Sequence, residues 1–186
     1  MVRIKKIKIF LGVVVILCLI YFFRFPAIYY SCMWLLEYKS NGDTMLMVTD
    51  ILEMQGSKIV PLLVNTYEDT KAHVDKRSAA ASVLMTLDRG KAEDLFVKHL
   101  EDRNDNIVVE AIYDLWVIES TKPYNQIIKK VSSLNYKMRV AVARYLENIP
   151  VDESVAILNS LMLNDPNEEV RETAKRSLSE IYRTEK

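Results

Sequence analysis

The side chains able to do chemistry in this sequence are few and scattered. His73 and His99 are the only histidines, and neither has another His or a Cys at metal-ligand spacing, where a zinc site needs three or four such ligands. Both therefore read as surface residues, and no metal or cofactor is expected. Cys18 and Cys32, fourteen residues apart, would stand about 21 Å from one another in a helix, beyond disulfide reach. Four glycines, Gly12, Gly42, Gly56 and Gly90, lie far apart and form no phosphate loop, and no serine sits in a nucleophile motif. The acid pair Glu168-Glu169 falls in what reads as the first turn of a helix, where negative charge complements the macrodipole rather than serving as an acid/base couple. What remains is binding chemistry, carried by aromatic and charged groups on helices.

Those helices are legible as a repeat. Val170, Ala174, Leu178 and Ile181 step by four, four and three, one stripe of an α-helix, and the same spacing recurs upstream. Leu84, Leu115, Leu146 and Leu178 are separated by 31, 31 and 32 residues. A near-constant period of this size marks a stacked array in which each unit buries its apolar stripe against the next. The hairpins read as Lys58–Glu68 with His73–Leu87 (closed by Arg89-Gly90), Lys91–Glu101 with Asn106–Ile118, Pro123–Ser132 with Tyr136–Asn148, and Asp152–Leu163 with Pro166–Tyr182. Asp165 is the expected cap of the last helix. Ahead of them, Asp43 to Met54 forms a half-repeat that ends at Gly56.

Val60-Pro61-Leu62-Leu63 in a first helix, and Asp165-Pro166 through Val170-Arg171 with Ala174 and Leu178 in a second, resemble the HEAT repeat, especially its short bacterial variant. The resemblance covers residues 58–182, with a weaker half-copy at 43–55. It implies an all-α fold: a right-handed α-solenoid of about four helical hairpins plus the half-repeat, with second helices lining a concave surface. It also implies that Arg77, Arg139 and Arg171, which share one repeat position, hydrogen-bond neighbouring repeats together. Val108 stands where that Arg is usual and Val142 where Ala is usual, so the polar ladder is interrupted in the middle copies.

At about 100° per residue, the face opposite the packed stripe falls at fixed positions in each second helix. In the last copy these are Glu172, Arg176 and Ser179, a polar face suited to an end cap. In the earlier copies they include Met85, Val109, Tyr113, Trp116 and Val140. Tyr and Trp dominate interface hot spots, so these five read as a protein-binding patch with Glu110, Asp114 and Arg144 as its polar rim. Burial as ordinary core is the competing reading.

The amino-terminal end is different in kind. Ile9 to Phe23 is a run of fifteen residues without charge, and no acid precedes Glu37, so Arg3, Lys5, Lys6, Lys8 and Arg24 are uncompensated. With Lys8 and Arg24 snorkelling, the run reads as a signal-anchor transmembrane helix within residues 1–25, its basic tail cytoplasmic by the positive-inside rule. A cleaved signal or a buried helix are the other readings. Cleavage is disfavoured because Ala27 and Ser31 have the bulky Phe25 and Tyr29 two residues earlier. Residues 26–42 follow as an aromatic juxtamembrane helix and turn, and 43–186 as the repeat body on the far side of the membrane. Removing the five terminal bases from 25 leaves 20 against 25 acids, and a body near −5 lacks the basic stripe that nucleic acid requires.

The expected function is thus a membrane-anchored scaffold that binds an unidentified protein, with no small-molecule substrate. An assembly or chaperone subunit of a membrane complex is the alternative. Enzymes with similar short repeats, phycobilin lyases and HEAT-like alkylpurine DNA glycosylases, stand further off.

Overall fold

A computed structural model describes residues 24–38 and 41–184. The apolar run 9–23, and with it the expected transmembrane helix, lies outside the described residues. Among the described residues all regular structure is helical, and no helix is long and apolar enough to cross a membrane. The chain divides into two compact units, one through Asp88 and one from Arg89.

The first unit holds α1 (24–38), α2 (Gly42–Glu53), α3 (Val60–Glu68) and α4 (Val74–Leu87). Helix α1 buries Tyr29, Cys32, Met33 and Leu36, an i, i+3, i+4, i+7 stripe. Its Tyr29 hydroxyl donates to the Leu62 carbonyl at 2.8 Å and bonds the Thr66 hydroxyl, so this stripe is docked on α3. Burial pushes the Tyr29 phenol up to about 12. Helix α2 packs on α4, with Leu52 fully buried. The half-copy expected at 43–55 is preceded by α1, in the stretch where the sequence places an aromatic helix. The 3₁₀ turn Gly56–Ile59 after α2 begins with Gly56 at φ +66°, a left-handed conformation that favours a residue without Cβ. Arg77 is buried, donates to the Tyr67 carbonyl at 3.2 Å and lies over the Tyr67 ring.

The second unit holds α5 (Arg89–His99), α6 (Asp105–Val117), α7 (Tyr124–Ile127, continued as 3₁₀ through Lys130), α8 (Tyr136–Leu146), α9 (Asp152–Asn164) and α10 (Glu168–Thr184). Helix α8 packs against α6 on one side and α10 on the other, while α5 pairs with α6 and α9 with α10. The repeat leucines Leu115, Leu146 and Leu178 are all buried there. Side-chain bonds connect copies one period apart: Asn135 to Asp105, Lys122 to Asp94, Tyr124 to Glu153, Ser177 to Glu147 and Arg139 to Asp165.

Three sequence expectations change. Gly90 closes no helix, because α5 already begins at Arg89 and Asp88 caps α4. His99 is buried rather than on the surface: it completes the α5 stripe Ala92, Leu95, Phe96, His99 at helical spacing. Asp165 is not the cap of α10. The Asn167 side chain accepts from the Glu169 and Val170 amides, and the helix starts at Glu168.

That last shift exposes a pattern. The capping side chains of the second helices are His73, Asn104, Asn135 and Asn167, each accepting the amide two residues on. They step by 31, 31 and 32 residues, the period of the leucines. In the last three copies a side chain two residues earlier, on Asp102, Ser133 or Asp165, in turn accepts the cap residue's own amide. Two consecutive side-chain turns thus reverse the chain into each second helix and satisfy donors that the helix start leaves open.

Candidate functional site

The outward stripes of α6, α8 and α10 converge on a cleft of about 170 Å³ lined by Tyr113, Val140, Arg144, Glu169, Thr173 and Arg176. Helix α6 supplies Tyr113, α8 supplies Val140 and Arg144 at i and i+4, and α10 supplies Glu169, Thr173 and Arg176 at i, i+4 and i+7, spacings that turn them to one face while the core stripe beside them is buried. Val140 and Thr173 are buried and form the floor. Tyr113 and Arg144 are partly covered, and Glu169 and Arg176 are exposed. Burial and the Glu169 carboxylate raise the Tyr113 phenol, with Arg144 opposing.

Arg144 organises one wall. Its guanidinium lies over the Trp116 ring, 4.4 Å from the centroid, and donates to Glu147 at 3.1 Å. Glu147 also accepts the Ser177 hydroxyl at 3.2 Å, which joins this wall to α10. A cation over an indole contributes about 0.5–2 kcal/mol depending on solvation. The indole Nε1–H of Trp116 is buried with no acceptor in reach among the described residues, so the ring face, not the N–H, accounts for its place.

Trp116 itself is held by the end of α6. There Glu119 takes φ +52°, the Ser120 amide bonds the Leu115 carbonyl and the Glu119 amide bonds the Trp116 carbonyl, a Schellman closure with Glu at the position glycine usually takes. Side chains from elsewhere in the unit bond further to the carbonyls of this turn. Asn148 donates to Trp116 at 2.7 Å, the Tyr145 hydroxyl to Ser120 at 2.7 Å, and Arg89 to Ile118. Burial raises the Tyr145 phenol far above its usual range, so it stays a donor. Glu119→Gly removes the left-handed penalty and is expected to raise stability by about 1 kcal/mol, read as a higher urea midpoint with unchanged slope.

The eight residues singled out in sequence are distributed as follows. Tyr113, Val140 and Arg144 meet in the cleft, and Trp116 lies beneath Arg144. Val109, Glu110 and Asp114 are partly buried on α6 and do not line it. Met85, also partly buried, belongs to α4 in the first unit. Arg144 both lines the cleft and covers the face of Trp116. Glu169 and Thr173 were missed: Glu169 had been read only as a first-turn acid, and Thr173 flanks the core stripe. Sliding the outward stripe of α10 three positions toward the helix start, from 172, 176 and 179 to 169, 173 and 176, a net turn of about 60°, finds both.

No group of His, Cys, Asp and Glu among the described residues could hold a metal ion. No protein-family profile matches this chain, and no curated protein does.

Proposed function

We propose that this chain is a non-catalytic protein-interaction module, a HEAT-type right-handed α-solenoid anchored in a membrane by its amino-terminal run. On this reading residues 1–25 keep the terminus cytoplasmic and hold the repeat body on the opposite side. The observation that carries it is the cleft across α6, α8 and α10. Its volume, about 170 Å³, is below the roughly 300–1,000 Å³ of small-molecule sites and suits one inserted side chain of a protein partner. Its walls combine an aromatic ring with two arginines, residue types enriched at interface centres, and the exposed Glu169 stands at its polar edge. The apolar run and its flanking bases support the anchor.

Photo-crosslinking residues placed at Tyr113 and Arg176 are expected to trap one discrete partner in membranes. The same residue at exposed Leu163 of α9 is expected to trap none. Arg144→Glu, which reverses the central charge, should abolish the product. Identical products from all three positions, or persistence in Arg144→Glu, would sink the proposal.

A further inference from the structure

Among the described residues the outer face of α1 is largely uncovered. Tyr30, Trp34 and Tyr38 stand at i, i+4 and i+8 with 62%, 59% and 71% of their surfaces exposed, while the opposite stripe is docked on α3. The Trp34 and Tyr38 rings are 4.8 Å apart and make a continuous aromatic surface. From Phe25 to Leu36 the helix carries no charged residue. A helix face turned to water carries polar and charged groups, so this one is built for another medium. Its docked stripe is already taken by the unit, so core packing does not explain the second apolar face.

We infer that α1 lies in the plane of a lipid bilayer, its Tyr30–Trp34–Tyr38 face seated among the headgroups and the helical unit carried on its other side. This rests on the anchoring reading above and adds its geometry. In sequence the uncharged run Ile9–Phe23 directly precedes Arg24, so a chain leaving the hydrocarbon after Phe23 brings residues 24–38 to headgroup level. Tyr and Trp favour that layer because a polar tip and an apolar ring are satisfied together. The charge is placed to match: Arg24 and Lys58 both lie over the Phe25 ring, at 4.4 and 4.6 Å, at the end of α1 nearest the run, where lipid phosphates would meet them. At about 1.5 Å per residue the described stretch 24–38 spans about 22 Å, enough to fix how the first unit sits on the surface.

The chain has two tryptophans, so Trp116→Phe leaves Trp34 as the single reporter. The full-length variant is reconstituted in phosphatidylcholine–phosphatidylglycerol vesicles, with circular dichroism checking its helicity. Lipids brominated high in the acyl chain should quench Trp34 more than lipids brominated near the bilayer centre, and quenching by aqueous iodide should be lost. Adding Tyr30→Ser and Tyr38→Ser should restore iodide quenching. Iodide quenching without bromine quenching overturns the inference. So does stronger quenching from the bilayer centre, or shielding from both reagents, which means a protein covers the face. Carbonate extraction tests the anchor separately. Resistance to carbonate with Trp34 in water defeats the in-plane helix alone. A chain released by carbonate whose Trp34 is still quenched by shallow bromines on vesicles defeats the span and supports the interfacial helix.

Discussion

Replacing Asp165 with Ala is expected to destabilise the second unit by about 3–5 kcal/mol, the usual cost of stranding one member of a buried ion pair. Asp165 receives two bonds from the Arg139 guanidinium, 2.7 Å from Nε and 2.9 Å from Nη2, and side-chain exposure is only 3% for the Asp and 11% for the Arg. The same carboxylate accepts the Asn167 amide at 2.9 Å, and the Asp165 carbonyl accepts from Arg171 at 2.8 Å. Truncation thus removes a tie between successive copies and the turn that starts α10, and it leaves the Arg139 charge partly buried. Arg139→Met with Asp165→Leu should recover most of the loss, since an apolar pair does not have to be desolvated. If Asp165→Ala unfolds at the wild-type urea midpoint, the pair is ornamental.

The pair also sets a pH dependence. The hydrogen bonds from Arg139 hold the Asp165 carboxyl below its ordinary value of 3.8, assisted by the Asn167 amide and opposed by burial. A folded-state pKa lower than the unfolded one contributes stability above the unfolded value, and that contribution is lost as pH falls below about 4. The wild-type advantage over the Met/Leu double variant in urea should therefore shrink between neutral pH and pH values below 4. An advantage unchanged across that window would show that Asp165 is not ionised against Arg139.

Leu146→Ala should cost about 3–5 kcal/mol, toward the upper part of the range for emptying a leucine site. Leu146 is fully buried on α8, which has packed helices on both sides, so its surroundings cannot collapse into the void. Leu178 occupies the equivalent position on α10, retains 5% exposure and has α8 and α9 as its helical neighbours. Leu178→Ala should cost nearer 2 kcal/mol, because an end helix can shift inward. Urea unfolding of the two variants provides the comparison. Equal costs, or a larger cost at Leu178, would contradict a stacked order with α8 in its interior. Against a typical total stability of about 5–15 kcal/mol, either discussed substitution removes a large share.

The sequence by itself determined the helices and their period. Leucines 31 or 32 residues apart, each with an apolar stripe at helical spacing, admit few other folds, and local propensity agrees with the stripe in nearly every copy. Boundaries failed where side chains chose between competing partners. Asp165 and Asn167 are both good caps, and only the position of Arg139, 26 residues earlier in the chain, drew Asp165 into an ion pair and left the cap to Asn167. The Asp/Ser-x-Asn turn was visible at 102–104, 133–135 and 165–167, but its meaning depends on which amides face it. His99 was misplaced because residue type outweighed its position on the α5 stripe.

Site residues were less legible than the fold, for a physical reason. Outward stripes follow from periodicity, yet the meeting of stripes depends on how far each helix is rotated about its axis. On α10 the cleft takes Glu169, Thr173 and Arg176 in place of Glu172, Arg176 and Ser179, a turn of about 60° about the axis, and the packing of α6 against α8 places Arg144 over Trp116. Periodicity is a property of one helix and can be read along the chain. The rotation and spacing of neighbouring helices come from side chains interlocking across three of them at once, and only the tertiary structure decides that.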